Sequence, residues 1–314
     1  MNNLRNWKYI NQQVVNRGRP STYILPAIQR QNRDLQTMNK GKVGKPYRFS
    51  DILIIAGFAI KTIFKIGYRE AAGNVSDYLS MNMIKESPDF RTMQWRISKM
   101  GKEGIKFMIY DKKREGLDVL VDASGVKSVN DGEYRSTKYG KVKRWKKIHI
   151  AIDRQTHRIL NIIVTENDIA DVEEFSELLR PITERNNVSR VTGDGGYDSE
   201  RNFKFCDDRN IKPRIPLHIN ATGKTTKHRR YRVGEQLGID CRRGRRSGRI
   251  PLKERRRKIQ EEWKCTSGYH NRSLVETTIG VFKGTFGEYT FSRRDDMKEK
   301  ELLLKAVVYN TFLI

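Results

Sequence analysis

One short stretch of the chain spaces a carboxylate and three hydrogen-bond donors at helical intervals. The segment YHNRSLVETTIGVFKG, residues 269–284, has few acids and no proline, which favours a helix. At about 100° per residue, four of its polar side chains fall within an arc of about 60°. These four are Tyr269, Arg272, Glu276 and Lys283. The donors suit phosphate oxygens. The spacing equally fits an i,i+4 ion pair on a solvated face.

Two aspartates upstream stand where strands are expected to end. Asp122 follows the apolar run LDVLV, and Asp194 lies in VSRVTGDGGYDS, where the next two glycines allow close approach of a ligand. Each aspartate by itself is more typical of a turn. If the two strands are neighbours, however, both carboxylates meet at one edge of a sheet, where Glu276 can join them.

Three converging carboxylates predict a particular chemistry. Oxygen ligands suit a hard divalent cation such as Mg²⁺ or Mn²⁺. Two such ions can activate an attacking oxygen and stabilise the leaving oxygen of a phosphodiester.

The net charge of the chain indicates a polyanionic partner. The 314 residues include 63 Lys and Arg against 37 Asp and Glu, which gives a net charge of +26. Such a balance predicts salt-dependent binding to nucleic acid. Arginine is densest in residues 224–258, which suits contact with a DNA backbone and is compatible with a loop that is disordered without DNA. The candidates for this contact are Arg242, Arg243, Arg245 and Arg246.

Trp145 is a further candidate for DNA binding, since it lies between basic residues in KVKRWKKIH. Its indole could stack on a flipped or frayed base. A tryptophan packed at a strand edge is an equally good interpretation.

The sequence supports neither a membrane-spanning or secreted protein nor a protein built around disulfides or zinc. The most apolar run, residues 52–64, is interrupted by Lys61 and too short to span a bilayer, and the N-terminus has no apolar signal core. The cysteines Cys206, Cys241 and Cys265 are far apart, so that neither a disulfide framework nor a zinc pair is expected. We therefore expect a cytoplasmic, nucleoid-associated protein without a membrane span.

The hydrophobic pattern divides the chain into three regions. Residues 1–48 are polar and basic with weak periodicity, which predicts a basic arm. Residues 49–112 predict helices that could bind DNA as a helix-turn-helix or only pack as a bundle. Residues 113–314 predict the order β, β, β, α, β, α, β, followed by the arginine-rich segment and the last helix. This order indicates an α/β fold, a mixed sheet flanked by helices and preceded by an α-helical N-terminal domain.

Capping signals set the expected ends of the N-terminal helices. Ser50 precedes the first apolar helix and Gly67 follows it, whereas Ser87 is expected to cap the third. In the helix-turn-helix interpretation, the residues facing DNA from this third helix are Arg91, Gln94 and Arg96.

Other polar residues of the sheet region are expected to have structural roles. Asp153 is interpreted as a turn aspartate, Asp168 and Asp171 as helix caps, and His149 as a core residue. Asp198, close to Asp194, could support the site, although a helix cap is the favoured interpretation.

These motifs together resemble the DDE transposases of prokaryotic insertion sequences, of the insertion-sequence-five and insertion-sequence-four type. The resemblance rests on VDASGVK with Asp122, on VTGDGGYDS with Asp194, and on the Y-R-E-K signature, which the four residues named first match without a gap. It covers roughly residues 49–314.

The resemblance implies a ribonuclease-H-like catalytic domain that nicks transposon ends and joins the freed 3′-hydroxyl to target DNA. The implied metal ligands, for two Mg²⁺ or Mn²⁺ ions, are Asp122, Asp194 and Glu276. Arg272 and Lys283 would hold phosphates, and Tyr269 would bind a phosphate or stack on a displaced base.

The resemblance also implies partners. These are double-stranded DNA, as terminal inverted repeats and as target, and a second copy of the chain, because two ends must be brought together. Two alternatives stay open, namely a non-catalytic DNA-binding protein and a nuclease of the same fold that cuts without joining.

Overall fold

The computed structural model describes residues 7–110, 113–129, 145–217, 236 and 253–313, and its contacts divide the chain into two units. The helical unit comprises Met1–Met108, Gly284–Gly287 and Ser292–Ile314. The sheet unit comprises Ile109–Lys283 and Glu288–Phe291. None of the helices in the described ranges is long and apolar enough to cross a membrane.

The elements follow one another in three groups. The first group is α1 (Trp7–Arg17), α2 (Ser21–Asn39), α3 (Asp51–Ile63), α4 (Tyr68–Met81), α5 (Phe90–Lys99) and α6 (Lys102–Ile109). The second is β1 (Leu117–Ser128), β2 (Lys146–Asp153), β3 (Ile159–Glu166), α7 (Asp171–Arg185), β4 (Val188–Thr192), α8 (Glu200–Asp207) and β5 (Lys212–Arg214). The third is α9 (Lys253–Ser267), α10 (Ser273–Phe286), β6 (Tyr289–Thr290) and α11 (Asp295–Val308).

Two helices occupy the region where the weak periodicity predicted an arm. In α2, Tyr23, Ile24 and Ala27 are fully buried. The ring of Tyr23 meets those of Phe64 and Phe312 edge-on, at 6.5 and 5.6 Å between centroids. Few apolar residues anchor these helices, so their pattern in the sequence is weak. The domain boundaries drawn from the sequence stay a prediction.

The first apolar helix begins as predicted and ends earlier. Ser50 caps α3, since its hydroxyl accepts a hydrogen bond from the backbone N–H of Leu53 at 3.4 Å. The helix ends at Ile63, and Gly67 is the N-cap of α4 instead of the end of α3.

The segment that was predicted to form the third helix forms two helices, α5 and α6. The N-cap of α5 is also not the predicted residue. Asp89, not Ser87, caps α5, and its carboxylate accepts from the backbone N–H of Thr92 at 2.7 Å. Arg96 is buried, forms an ion pair with Asp51 and stacks on Tyr47, with its guanidinium carbon 4.2 Å from the ring centroid. The expectation that Arg96 faces DNA is therefore wrong.

The sheet has the order β3-β2-β1-β4-β5, with β6 added beside the end of β1. β1 is antiparallel to β2 and parallel to β4, while β2–β3 is antiparallel and β4–β5 parallel. Apolar side chains of β1 pack with those of α7 and α8, among them Val119, Val121, Phe175 and Phe203. The α/β prediction is confirmed, since the structure has a mixed sheet flanked by helices and a helical N-terminal region.

Most of the remaining acids take turn or ion-pair positions. Asp153 is a turn aspartate as predicted, since its carboxylate accepts hydrogen bonds from the backbone N–H groups of Gln155 and Thr156, at 3.1 and 3.2 Å. The predicted caps are wrong: Ala170 is the N-cap of α7, Asp171 pairs with a lysine, and Ser199 rather than Asp198 caps α8.

His149 is a core residue as predicted, and its burial has a consequence for stability. Its Nε2 lies 2.9 Å from Thr165 Oγ1, and its Nδ1 lies 3.7 Å from Asp171 Oδ1. Burial lowers the pKa of His149 to about 4, with Lys147 acting in the same direction and Asp171 against it. The folded state therefore holds the neutral ring while the unfolded chain takes up a proton below about pH 6.5.

We expect acid to destabilise the protein through this group. Because the unfolded state binds more protons between about pH 6.5 and 4, the free energy of unfolding should fall by up to about 3 kcal/mol over that range. Urea unfolding of the wild type and of His149→Gln at several pH values measures this difference. Both should have the same pH dependence above about pH 7.5. Parallel curves down to pH 4.5 would contradict the prediction.

Candidate active site

The parallel register of β1 and β4 places two carboxylates side by side. The last pair of this ladder is Leu120 with Thr192. Asp122 and Asp194 each lie two residues beyond it. Asp194 follows the end of β4 as expected, but the expectation that Asp122 ends its strand is wrong, because pairing with β2 continues β1 to Ser128. Because Val119 and Val121 face the core under α7, the alternation along β1 directs Asp122 to the opposite face.

The Asp122 carboxylate is largely buried and is fixed by the backbone. Its Oδ1 accepts from the N–H of Ala123 at 2.9 Å. Burial raises the pKa of Asp122, and the neighbouring Asp194 and Glu276 raise it further, while the Ala123 N–H and Arg272 oppose this shift. The Ala123 N–H and the Arg272 guanidinium thus favour the charged form of the Asp122 carboxylate despite its burial.

Asp194 is oriented by the turn that it begins. It is the N-cap of a 3₁₀ turn, Gly195–Tyr197, and its Oδ1 accepts from the N–H of Gly196 at 2.9 Å. A Cβ on Gly196 would lie only 3.0 Å from that oxygen. Because Gly196 has no Cβ, the backbone can approach the Asp194 carboxylate closely.

The segment that was predicted to form one helix begins with a tighter turn. Tyr269–Arg272 form a 3₁₀ turn, and α10 starts at Ser273. The helix is seated by three buried apolar residues, Val275, Ile279 and Phe282. The Glu276 carboxylate is half exposed and lies 2.8 Å from Arg272 Nη1.

Arg272 lies between all three carboxylates. Besides the contact with Glu276, its Nη2 lies 3.8 Å from Asp122 Oδ1 and 3.9 Å from Asp194 Oδ2. The simple ion pair is therefore present, but it belongs to a cluster of one guanidinium and three acids. Desolvation lowers the pKa of Arg272, whereas Tyr269 and the acids raise it, with a net increase that keeps the group charged.

The other residues predicted for the site stand at different distances from this cluster. Tyr269 packs on Trp263, with 6.0 Å between ring centroids, and burial raises its pKa. Lys283 follows Glu276 by two helical turns, about 10 Å along the axis. Within the described ranges, Lys283 and Trp145 form neither an ion pair nor a hydrogen bond with the three acids. The candidates Arg242, Arg243, Arg245 and Arg246 lie outside the described residues.

Sequence reasoning missed two residues that support Asp194. Tyr197 is buried, and its ring lies 5.5 Å from that of Phe175 on α7. Gly193 lies beneath this ring, since a Cβ added there would come within 2.8 Å of Tyr197 Cδ2 and 2.9 Å of Val121 Cγ2. A third glycine beside the aspartate in GDGG was the signal available in the sequence.

Gly193→Ala is expected to destabilise the protein by about 1–3 kcal/mol, because both contacts are with the packed core. The displacement should also move the adjacent Asp194. Urea unfolding measures the first effect, and DNA strand cleavage the second. Gly195→Ala is the matched control for the unfolding measurement, since its Cβ would meet its nearest neighbour at an ordinary 3.6 Å. Equal effects of the two variants would contradict the role of Gly193.

The three carboxylates are chemically suited to bind a divalent cation. In the described part of the chain, no three His, Cys, Asp or Glu side chains stand as a preformed metal-binding group. The three carboxylates nevertheless surround one cationic group, Arg272. Carboxylate oxygens are the ligands that Mg²⁺ and Mn²⁺ prefer, and the backbone donors orient two of them.

Comparison with known proteins agrees with this arrangement. A family model described as a transposase DDE domain matches residues 113–311, and a second model with the same description matches residues 15–131. An uncharacterised protein of Aquifex aeolicus (strain VF5) is 21% identical over 330 residues, which cover 98% of this chain and 92% of that protein.

Similarity to solved structures is distant. The piggyBac transposase synaptic complex with hairpin DNA gives a TM-score of 0.42 at 11% identity, over 96% of this chain and 74% of that one. The simian T-cell lymphotropic virus intasome in complex with PP2A regulatory subunit B56 gamma gives 0.26 at 12% identity, over 65% and 64%. The family model of residues 113–311, in contrast, spans more than half of the chain and contains all three acids. The chain therefore belongs to the family of transposases with a DDE domain.

Proposed function

We propose that this DDE transposase nicks the ends of a DNA element and joins the freed 3′-hydroxyl to target DNA, with Asp122, Asp194 and Glu276 as its metal ligands. The observation that carries the proposal is the placement of these carboxylates, from β1, the end of β4 and α10, around one guanidinium. A protein that only binds DNA would gain from replacing acids near the phosphates.

Transposases of this family depend on divalent metal ions. We propose two Mg²⁺ or Mn²⁺ ions here, because the ligands are all carboxylate oxygens. Bound at the three acids, such ions supply activation of the attacking oxygen and stabilisation of charge on the phosphate. The chain itself contributes orientation, since the N–H groups of Ala123 and Gly196 hold Asp122 and Asp194 in place.

The residues around the acids are proposed to hold the DNA strand. Arg272 offers a planar fork that can bind two phosphate oxygens, and Lys283 offers a point charge two helical turns further along α10. Tyr269 is held against Trp263 and can hydrogen-bond a phosphate or stack on a base. The same role in DNA binding is proposed for Trp145, Arg242, Arg243, Arg245 and Arg246.

Arg272→Ala is expected to weaken binding to an element end by about tenfold, because a charged fork near the phosphates is lost. Fluorescence anisotropy with a labelled end duplex in EDTA measures this affinity. Arg272→Lys, which keeps the charge without the fork, should show a smaller loss. Unchanged binding and cutting by the alanine variant would count against a phosphate contact.

The proposed partners follow from this chemistry. They are double-stranded DNA, as terminal inverted repeats and as target, and a second copy of the chain in a homodimer that brings two ends together. A DNA substrate of this kind implies a location at the nucleoid. The insertion-sequence-five or insertion-sequence-four subtype stays a prediction.

The test is a cleavage assay on a duplex that carries the element's own end, with Mg²⁺, with Mn²⁺ and with EDTA. We expect metal-dependent nicking that leaves a 3′-hydroxyl, followed by joining of that end to a target plasmid. Cutting without joining would favour a nuclease of the same fold. Tight, salt-sensitive binding without cutting in any metal would favour a non-catalytic DNA-binding protein.

A further inference from the structure

Exposed apolar side chains of the sheet unit gather at one place. Among its described residues, the large hydrophobic side chains that are 40–48% exposed are Val129, Trp145, Tyr289 and Phe291. They lie at the end of β1, before β2 and along β6, and Val129 N donates to the Thr290 carbonyl at 3.1 Å. Concentration of exposed apolar groups at one edge of a highly basic chain indicates a contact surface.

Three neighbouring strands fix the spacing of this surface. Lys127 on β1 pairs with Tyr289 on β6, and Val126 pairs with Lys146 on β2. Continued by one residue, the second register places Trp145 opposite Lys127. One aromatic ring, one ammonium and a second ring therefore form a row across the sheet, with about 4.8 Å between adjacent strands. The Lys127 Nζ lies 5.8 Å from the Trp145 ring centroid and 5.9 Å from that of Tyr289.

The row is held by regular backbone contacts. A Cβ on Gly125 would lie 3.3 Å from Trp145 Cε3, so that the indole lies close against the backbone of β1. The Lys127 N–H donates to the Glu288 carbonyl at 2.9 Å. The indole and the strand that carries Tyr289 are therefore in place before a ligand arrives, which reduces the entropy lost on binding.

We propose that this aromatic patch, made of Lys127, Val129, Trp145, Tyr289 and Phe291, binds unpaired bases of a DNA strand. Aromatic faces stack on any base, and an ammonium between them attracts the phosphates that join the bases. The net charge of +26 favours a nucleic acid over an apolar protein partner.

The proposal rests on the proposed function, because DNA strands are opened where a transposase cuts them. Lys127 lies five residues beyond Asp122 on the same strand, about 17 Å away. That distance corresponds to about five nucleotides of a strand in duplex spacing. Because side chains alternate along a strand and five is an odd number, Lys127 faces the side of the sheet opposite to Asp122. The patch would therefore receive unpaired bases beyond the end of β1, several nucleotides from the cut.

The test compares single-stranded with double-stranded DNA. Anisotropy of a labelled thymidine oligonucleotide and of a duplex of equal length is measured with the full-length protein in EDTA. Trp145→Ala and Tyr289→Ala should each lower affinity for the single strand by about 5- to 100-fold, and affinity for the duplex by less than about twofold. Trp145→Phe should retain most of the binding. Phe107→Ala removes an exposed aromatic of the helical unit, 67% exposed, and is the matched control.

Three results would overturn the proposal. Equal losses on both DNAs would mean contact with the backbone rather than the bases, and no loss on either would mean a patch that only faces solvent. A change in sedimentation of Trp145→Ala would mean an interface between copies of this chain. Since no metal is present, the result does not depend on whether the three acids cut DNA, and a failed cleavage assay would leave it intact.

Discussion

Glu276→Gln, Asp122→Asn and Asp194→Asn are each expected to bind an element-end duplex with nearly unchanged affinity and to cut it at least about 10³-fold more slowly. Each substitution keeps the volume of the side chain and removes one anionic ligand. Stabilisation by a bound metal is worth several kcal/mol in the transition state, whereas most of the affinity comes from basic residues elsewhere. Single-turnover cleavage in Mg²⁺ and in Mn²⁺, beside anisotropy in EDTA, separates the two quantities.

A matched control is available on α7. Glu177 is 50% exposed and lies 2.8 Å from Arg180, whereas Glu276 is 51% exposed and lies 2.8 Å from Arg272. Glu177→Gln therefore removes a carboxylate of the same exposure and pairing away from the other two acids, and it should cut at the wild-type rate. Cleavage at that rate by any variant of the three acids would remove its residue from the proposed site.

Glu301→Ala is expected to destabilise the helical unit by about 3–5 kcal/mol, because it removes the carboxylate that is paired with a buried ammonium. The Glu301 and Lys305 side chains on α11 are 3% and 1% exposed and lie 3.0 Å apart. Glu301 Oε2 also accepts from Ser292 N at 2.9 Å and from Ser292 Oγ at 2.7 Å. Burial lowers the pKa of Lys305, and the Glu301 carboxylate opposes that shift. The carboxylate therefore favours the charged form of the lysine.

A double-mutant cycle tests this pair. Urea unfolding of Glu301→Leu, Lys305→Leu and the double variant should show a large loss for each single change. The double variant should recover part of it, since well-packed apolar side chains can replace a buried ion pair while Ser292 still loses its acceptor. Additive losses would show that the two side chains contribute independently, contrary to this prediction.

Local patterns in the sequence were sufficient to predict the order of strands and helices in the sheet unit. Alternation along β2 and β3, and apolar runs that end at Asp122 and Asp194, predicted the observed order because these signals need only a few neighbouring residues. The prediction that the two aspartates lie close together assumed that their strands are neighbours, and β1 and β4 do pair in the structure.

Features that depend on distant contacts were not predictable. Arg96 has the composition and spacing of a DNA-facing residue, yet Asp51 and Tyr47 from other segments bury it. Likewise, the helical wheel placed Arg272 beside Glu276 but gave no reason to place it beside Asp122 and Asp194. That position arises because the chain enters α10 through a 3₁₀ turn and because three separate elements converge.

The guanidinium among the three acids has a practical consequence for handling the enzyme. Arg272 offsets part of the repulsion between neighbouring carboxylates, so the fold around them does not need an ion to assemble. A chelator should accordingly abolish turnover while leaving the melting temperature nearly unchanged. The protein could then be purified and stored on its DNA in an inert form and started synchronously by adding Mg²⁺, which would make the first chemical step accessible to rapid-mixing kinetics.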